Sequence, residues 1–477
     1  MRKMVPYKTI SIIIISSFII PFFTMPSHAL DNSEGNSKSN ILYVSKSGST
    51  YSKIQDALNN ASDGDTIIIG NGTYEEENLV IRSDDIILMG NSSSETNLIF
   101  NGFFDIFIKT KSDNITITGL NITAVGNNNT VLKFSGNRSI VSDCHFHTSS
   151  EWSSVVKTGN KVNNITIDSC FFHTVGNYSS NINISEKNEF IRVNNSDLNM
   201  VGMESSSCFL FDSKNIVIEN SNFNSTYLNW WGDTKEYKKI KRNYFLYGIK
   251  FEKINTLNID TCNFFLDGKN LPYGYIGSIG IYSKEYSTLF QDAIYHSSNV
   301  IITNCSGNST WSGFIQINNI NTLSVRYLFR ISSIDSYEIS VIRNCINVKY
   351  YNNEITGAHF YFVKNINIYN NYMEKLRLRS GYINTKKSFS NNIIIENNTI
   401  TNLKRDLGSP LNLEGENIRI LNNSLVSKWD GVWIEGRNID IQNNNLNFSD
   451  WGLYIKSYYF DDENQRLPSN INVTNNI

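Results

Sequence analysis

A short phrase of alternating apolar and polar residues recurs through this 477-residue chain. It begins with Asn, as in NITITGLNI from Asn114, NIIIENNTI from Asn392 and NIDIQNNNL from Asn438. Aligned on its first apolar position, the phrase gives these anchors: Ile86, Ile115, Ser139, Ile165, Ile191, Ile216, Leu257, Val300, Leu323, Val348, Ile366, Ile393, Ile418, Ile439 and Ile471. Most neighbouring anchors lie about 21 to 29 residues apart, a period that predicts a repeat architecture.

The repeat unit is predicted to be a coil of short strands. Alternation with period two is typical of strands that bury one face, and helical spacing is almost absent. A unit of about 25 residues cannot bury that face alone, so it must stack on its neighbours. We therefore predict an all-β fold, a single-stranded parallel β-helix whose solenoid has about 15 coils.

The fifth residue after each anchor tests this prediction, because coils in register stack equivalent positions on one another, and these should hold similar residue types. In chain order these residues are Asn91, Leu120, Cys144, Cys170, Ser196, Ser221, Cys262, Cys305, Leu328, Asn353, Asn371, Asn398, Asn423, Asn444 and Asn476. Cys and Leu indicate that the position points inward. The Asn run then predicts a buried ladder of amides bonded along the axis.

The two ends of the solenoid differ. At the start, Ile54, Ala57, Leu58 and Ala61 fall at helical spacing and predict a short capping helix. Ser52 and Gln55 match a capping box before it. At the other end, residues 470–477 begin another copy of the phrase and nothing follows to cover it. Unpaired strand edges associate readily, so self-association through this uncapped C-terminal coil is one expectation and truncation is the other.

Residues 1–29 have the features of a secretory signal peptide. Arg2 and Lys3 precede an apolar run from Ile10 to Phe23, and small residues follow at Ser27 and Ala29. An uncleaved membrane anchor is the alternative. We expect 30–48 to be a linker with an entering strand and 49–477 to be the β-helix. The mature protein should then be secreted or held at the cell surface, with no integral membrane span.

Charge and cysteine content bear on two questions: whether the protein binds nucleic acid and whether it contains disulfide bonds. A net charge of -2 with 18% charged residues gives no electrostatic reason to expect nucleic acid. Four of the six cysteines occupy the inward position of the repeat. Cys144 with Cys170, and Cys262 with Cys305, lie on successive coils and could form disulfides, or they could be buried thiols that fill small apolar spaces.

The N-terminal part resembles the pectin-lyase-like superfamily, whose members are right-handed parallel β-helix proteins. Its phrase for the capping helix and first coils is matched here by Ile54, Gln55, Ala57, Ala61, Gly64, Asp65, Gly72, Tyr74, Glu76, Ile81, Leu88 and Gly90. The resemblance implies a right-handed coil. That superfamily includes lyases, hydrolases, esterases, epimerases, adhesins, surface-layer proteins and copper-pathway accessory proteins of the NosD type.

The motifs of two enzymatic branches are absent from the sequence. The polygalacturonase motifs do not occur. The Gln-Asp-Thr-Leu motif of pectin methylesterases is echoed by Gln291 to Ile294, but their Asp-Phe-Ile-Phe-Gly and Arg-Pro-Trp motifs are missing. If the chain is an enzyme, a polysaccharide lyase, a glycoside hydrolase or an epimerase remains.

Aromatic residues and insertions gather at one part of the coil. The longest insertions, about 224–247, 266–299 and 447–470, leave the coil shortly after the phrase, and solenoid insertions often project from a binding side. Aromatic faces stack on sugar rings. The candidate carbohydrate-binding residues are Trp311, Trp429, Trp433, Trp451 and Tyr454. The alternative is that the tryptophans fill corners of the core, although Trp433 alternates with inward residues and should point out.

A pair of carboxylates gives a candidate catalytic site. Glu414 and Glu435 each stand four residues before an anchor on successive coils, so they should lie about 5 Å apart. Retaining glycosidases use that separation. A solvated acidic column is the structural alternative.

Three histidines give a candidate metal site. His145, His147 and His173 follow inward cysteines on successive coils and should face outward. Imidazole pairs bind copper or zinc, and the resemblance to NosD-type proteins would give such a site a purpose. Incidental surface histidines are the alternative.

The sequence as a whole favours an exported or cell-surface β-helix that binds or processes a carbohydrate polymer. A structural surface-layer or adhesin-like protein is the competing hypothesis, because no complete catalytic motif is present. A copper-pathway accessory protein is the third.

Overall fold

Strands of successive coils stack in register to form three parallel sheets, here called sheets 1, 2 and 3. The structure is a computed structural model that describes residues 39–477 except 103–105, 150, 186, 203–204, 227–243, 268–273, 281–296, 310–314, 319, 327, 334–339, 344, 384–385, 389, 404–408 and 457–469. The segment predicted to be a signal peptide, 1–29, lies outside the described residues.

Each coil runs from sheet 1 through sheet 2 to sheet 3 and then enters sheet 1 of the next coil. Sheet 1 contains Ile41–Val44, Thr66–Ile69, Ile87–Gly90, Thr116–Thr118, Ile140–Ser142, Asn163–Asp168, Glu189–Asn194, Ser297–Thr303, Ile320–Arg326, Ile346–Tyr351, Lys364–Tyr369, Ser390–Glu396 and Ile471–Thr474. Four long strands cross from sheet 3 into sheet 1: Ser205–Glu219, Tyr244–Asp260, Leu411–Leu421 and Val432–Gln442.

The other two sheets have the same construction. Sheet 2 contains Gly72–Glu76, Thr96–Asn101, Asn121–Val125, His145–Ser149, Phe171–Val175, Asp197–Val201, Asn222–Thr226, Asn263–Asp267, Ser306–Ser309, Phe329–Ser333, Thr399–Asn402, Ser424–Ser427 and Asn445–Phe448. Glu354–Tyr361 and Tyr372–Arg379 cross from sheet 2 into sheet 3. Sheet 3 also contains Leu79–Ile81, Ile106–Thr110, Thr130–Phe134, Ser154–Thr158, Ser180–Ile184, Gly274–Gly280, Ile315–Asn318, Ser340–Arg343 and Leu453–Lys456. A small antiparallel hairpin joins Gly381–Ile383 to Lys386–Ser388.

The predicted repeat alignment is confirmed by the pairing of sheet 1. Anchors pair directly with anchors from Ile165 to Ile471, for example Ile393 with Ile418. In the earlier coils the residues just after the anchors pair, as Ile87 does with Thr116. The fold is therefore the predicted right-handed parallel β-helix, with the handedness that parallel crossovers adopt.

Asparagine shapes both corners of sheet 1. The residue before the anchor and the residue just after the strand have positive φ, as in Asn392 (55°) and Asn397 (55°). Asn tolerates this left-handed conformation better than most residues. The leading Asn of the repeated phrase is thus a turn residue, and its side chain bonds along the axis: Asn392 donates to Asn365, and Asn438 to Asn417. We call this series the outer asparagine ladder.

The predicted inner ladder is present in the later coils. Asn371, Asn398 and Asn423 are buried, and each side-chain amide donates to the carbonyl oxygen of the next, at 2.8–3.0 Å. Each of these three buried amides therefore has partners, as burial of a polar group requires. Asn91 was predicted wrongly as an inward residue: it is exposed and bonds to Asn71, because its coil places Gly90 on the inward side.

Cysteine fills the inward position of the earlier coils. All six cysteines are buried and free, which agrees with the buried-thiol alternative. Aromatic side chains pack the interior beside them, and Phe146 stacks on Phe172 with ring centroids 5.0 Å apart.

The predicted helix covers the first coil, but its cap is different. The helix spans Ile54–Asn60 and buries Ile54, Ala57 and Leu58. Lys53 is its N-cap and makes no side-chain cap bond, so the capping box predicted at Ser52 and Gln55 is wrong. Glu76 of the first coil instead accepts a hydrogen bond from the Ile54 N–H at 3.0 Å. Within the described ranges, no helix is long and apolar enough to cross a membrane.

Candidate functional site

The outward face of sheet 3 in the later coils brings several predicted site residues together. Leu413 and Ile434 are buried, so the residues that alternate with them point outward. Asn412, Trp433 and Tyr454 are paired in register on three successive coils. The period-two pattern and the parallel register together set these side chains in one column.

The aromatic members of this column form a cluster. Trp433 stacks on Tyr454 with ring centroids 4.2 Å apart and planes 29° apart. Trp451 meets both rings edge-on, at 6.2 Å from Trp433 and 6.1 Å from Tyr454. Tyr454 is 41% exposed. We call Trp433, Trp451 and Tyr454 the aromatic platform.

The two predicted carboxylates lie beside the aromatic platform. Glu414 and Glu435 are directly paired across adjacent strands, two residues beyond Asn412 and Trp433. Paired strands lie about 4.8 Å apart, which is close to the about 5–5.5 Å between the two carboxyl groups of a retaining glycosidase. Glu414 accepts a hydrogen bond from the Ser380 N–H at 3.1 Å, and Lys456 is paired with Glu435 on the next coil.

Two glycines hold these coils close together. A Cβ built on Gly436 would lie 2.1 Å from the carbonyl oxygen of Gly415, and one built on Gly415 would lie 2.8 Å from that of Ser390. Gly436 follows Glu435 directly. The close backbone approach therefore lies directly beside the paired carboxylates.

Basic residues precede the platform on the same face, and the repeat alignment did not single them out. Arg377 is paired with Asn412, and His359 with Arg377. The guanidinium carbon of Arg343 lies 4.9 Å from the ring centroid of Tyr361. The repeated phrase covers the sheet 1 strand and the start of the sheet 2 strand, so its alignment did not reach this face. The spacing from His359 to Arg377, Asn412 and Trp433 is also irregular, at 18 (377 − 359), 35 (412 − 377) and 21 (433 − 412) residues.

The other predicted aromatic residues lie elsewhere. Trp429 is 37% exposed and lies in the turn before Val432–Gln442. Trp311 lies outside the described residues, as do 227–243, 268–273, 281–296 and 457–469 of the predicted insertions.

The predicted histidine cluster lies on the outward face of sheet 2. His147 is paired with His173, and their ring centroids are 6.2 Å apart. His145 is paired with Phe171 instead. Burial, with the neighbouring His173 and His145, lowers the pKa of His147. Among the described residues, no three or more His, Cys, Asp or Glu side chains are grouped so that they could hold a metal ion.

Comparisons with known proteins give similarity to solved structures only. No protein-family model matches the chain. No curated protein matches it. The A-module of the mannuronan C-5 epimerase AlgE4 from Azotobacter vinelandii is 12% identical, with a TM-score of 0.33 over 85% of this chain and 94% of that one.

Two further solved structures are similar to the same degree. A pectin methylesterase from Aspergillus niger is 15% identical, with a TM-score of 0.32 over 64% of this chain and 88% of its own. An alginate lyase in complex with a trisaccharide is 12% identical, with a TM-score of 0.30 over 74% and 92%.

Proposed function

We propose that this chain binds a carbohydrate polymer on the outward face of sheet 3, at the aromatic platform. The observation that carries the proposal is the stacked, partly exposed pair Trp433 and Tyr454 beside two carboxylates. Sugar rings present C–H faces that pack on aromatic rings and hydroxyl groups that donate to carboxylates. A platform with both kinds of group fits such a ligand.

The paired carboxylates add a catalytic hypothesis to the binding one. Glu414 and Glu435 are paired on adjacent strands beside the platform, and a retaining glycosidase uses two carboxyl groups about 5–5.5 Å apart as nucleophile and acid. In this hypothesis Glu414, which accepts a hydrogen bond from the Ser380 N–H, is the nucleophile and Glu435 is the acid.

We also propose that the protein works outside the cell membrane, as secreted or surface-held protein. The support is the basic, apolar and small-residue sequence of residues 1–29. A polymer of the cell surface or surroundings would be the accessible ligand there.

The binding test compares two exposed tyrosines on different faces. We expect Tyr454→Ala to weaken binding of a polysaccharide by about three- to tenfold, as loss of an aromatic stack does. Tyr372→Ala removes a 53% exposed ring on sheet 2 and should leave the affinity unchanged. Affinity electrophoresis against a polysaccharide panel measures both. Equal effects of the two substitutions would place binding elsewhere.

Turnover is tested in the same samples. Reducing ends and unsaturated uronate are measured over time with each polymer that binds. If product forms, Glu435→Gln should abolish it while the dissociation constant changes little, because the platform is intact. Product formation that survives Glu435→Gln excludes this glutamate as the acid.

A further inference from the structure

Three of the six histidines in the chain lie on two neighbouring strands of sheet 2. His145 and His147 belong to the strand His145–Ser149, and His173 belongs to Phe171–Val175. His147 and His173 are directly in register, and their ring centroids are 6.2 Å apart. We call His147 and His173 the histidine pair. The proposed carbohydrate site on sheet 3 uses neither of them.

The two strands that carry the histidine pair are fixed on both sides of it. One residue before each histidine, Phe146 and Phe172 are buried and stacked, with ring centroids 5.0 Å apart. One residue after, the buried Thr148 hydroxyl donates to Thr174 Oγ1 at 3.1 Å. These inward contacts hold the two backbones in register, so the outward imidazoles start from a fixed separation. Side chains on such elements make more precise sites than side chains on loops.

The strands around the histidine pair contain no lysine or arginine. Asn121–Val125 and Asp197–Val201 flank the two histidine strands on either side. Among these four strands, Asp197 is the one residue with a fixed charge, and it is negative. The ring of Phe171 lies 6.0 Å from that of His147 and makes one side of the surroundings apolar. A cation at the histidine pair is therefore not repelled by an ammonium or guanidinium group of these strands.

The spacing of the histidine pair suits one shared metal ion. An imidazole nitrogen binds Zn²⁺ at about 2.0–2.1 Å, so two rings that share an ion have their centroids about 5–6.5 Å apart. The distance of 6.2 Å between His147 and His173 lies in this range. Imidazole is a suitable ligand for Zn²⁺, Cu²⁺ and Ni²⁺, whereas Mg²⁺ and Ca²⁺ prefer oxygen ligands.

We propose that the histidine pair binds a divalent ion of a late first-row transition metal, with one nitrogen of each imidazole as a ligand. Among the described residues no three His, Cys, Asp or Glu side chains are grouped to hold an ion, so water completes the coordination. An ion with water ligands keeps positions open for a further ligand. This site lies on sheet 2 and does not depend on the proposed function.

The test uses the full chain without an affinity tag and three single variants. Cu²⁺, Zn²⁺ and Mg²⁺ are titrated separately by calorimetry in a buffer that does not bind metals. His147→Ala and His173→Ala each remove one ligand of the pair. His145→Ala is the matched control, because it removes an outward histidine that is paired with Phe171 instead. Thermal unfolding without metal verifies that each variant is folded.

We expect Cu²⁺ to bind more tightly than Zn²⁺, which is the general order for such ligands, and Mg²⁺ not to bind. His147→Ala and His173→Ala should each raise the dissociation constant of Cu²⁺ about tenfold or more, since loss of even an outer-shell partner costs about 10–100-fold. His145→Ala should leave it unchanged. The electron paramagnetic resonance spectrum of bound Cu²⁺ should show coupling to two nitrogen nuclei in the wild type and to one in either ligand variant.

Three results would overturn the inference. If neither Cu²⁺ nor Zn²⁺ binds the wild type, or if bound Cu²⁺ shows no coupling to two nitrogens, the histidine pair is not a metal site. If His145→Ala weakens binding as much as His173→Ala does, the ion binds surface histidines without the geometry of the pair. Binding that is unchanged in both ligand variants places the ion elsewhere. None of these results alters the binding of a polysaccharide to the aromatic platform, which is measured separately.

Discussion

At the residue scale, asparagine has two distinct roles on each later coil. The outer asparagine ladder uses the tolerance of Asn for positive φ, and its amides are exposed. The inner ladder uses the amide as a donor and an acceptor that is satisfied without water. When an exposed amide is removed, water can take over its hydrogen bonds. When a buried amide is removed, its former partners stay unpaired.

Removing one inner amide should be costly. In Asn398→Ala, the backbone and side-chain N–H groups of Asn371 lose their shared acceptor. We expect the free energy of unfolding to fall by about 2–4 kcal/mol, because buried donors are left unpaired. Asn417→Gly removes an exposed ladder amide and keeps the positive φ, so about 1 kcal/mol or less is expected. Urea titration of both variants measures the difference, and equal losses would contradict a special role for burial.

Buried thiols should make the protein sensitive to alkali. Burial raises the pKa of Cys170 and of Cys345 from 9.0 to about 12. The unfolded chain loses these protons first, so the stabilising contribution is complete below pH 9 and is lost as the pH rises towards 12. Each thiol should steepen the fall in unfolding free energy by about 1.4 kcal/mol per pH unit. The unfolding free energy is measured against pH for the wild type and for Cys345→Ala, and the difference between the two curves gives the contribution of one thiol. Curves that stay parallel above pH 9 would contradict the burial argument.

At the element scale, the connections between strands and between the helix and the first coil position the neighbouring side chains. Where sheet 3 passes into sheet 1, Gly436 lets two coils approach at backbone contact. The neighbouring Glu435 and Glu414 are therefore held on adjacent strands. At the first coil, a contact across the fold caps the helix, since Glu76 reaches the Ile54 N–H.

A methyl group at the sheet 3 joint should separate the coils. In Gly436→Ala the added Cβ meets the Gly415 carbonyl oxygen at 2.1 Å, so the backbone must shift. We expect a loss of about 1–3 kcal/mol in unfolding free energy, as overpacking causes. Gly452→Ala is the control, because among the described residues the nearest neighbour of its Cβ would be Phe448, at 4.0 Å. Thermal unfolding monitored by circular dichroism compares them, and a normal melting temperature for Gly436→Ala would refute the close approach.

The parts of the fold predicted from sequence are those determined by local pattern. Anchor spacing was sufficient to place the coils, because each coil pairs with the next at the same position of the repeat. Contacts between sequence-distant residues were not predictable in this way: the capping box at Ser52 failed because Glu76 supplies the bond. Arg377 lies on the same face as the aromatic platform but outside the phrase that was aligned, so the alignment did not single it out.

At the scale of the whole molecule, the described coils form a series in which each touches mainly the coils before and after it. Stability in such a series is close to a sum of coil and interface terms. The last strand of sheet 1, Ile471–Thr474, is paired on one side only in the described structure and is exposed throughout. A central strand such as Ser390–Glu396 has neighbours on both sides.

Protection from hydrogen exchange should follow this order. We expect amides of Ile471–Thr474 to exchange at least about 100-fold faster than those of Ser390–Glu396, because local opening there breaks fewer contacts. Mass spectrometry after a series of labelling times measures both segments in one sample. Equal protection would mean that the molecule opens as a single cooperative unit.

The outer asparagine ladder also has a consequence for how the length of the chain can change in evolution. Because the corner residues repeat the same side-chain bond between several later coils, duplication or loss of one repeat leaves a junction whose two sides already match. Unequal recombination within the coding sequence should therefore yield chains that fold. Homologous chains should differ in length by whole coils more often than by fractions of one.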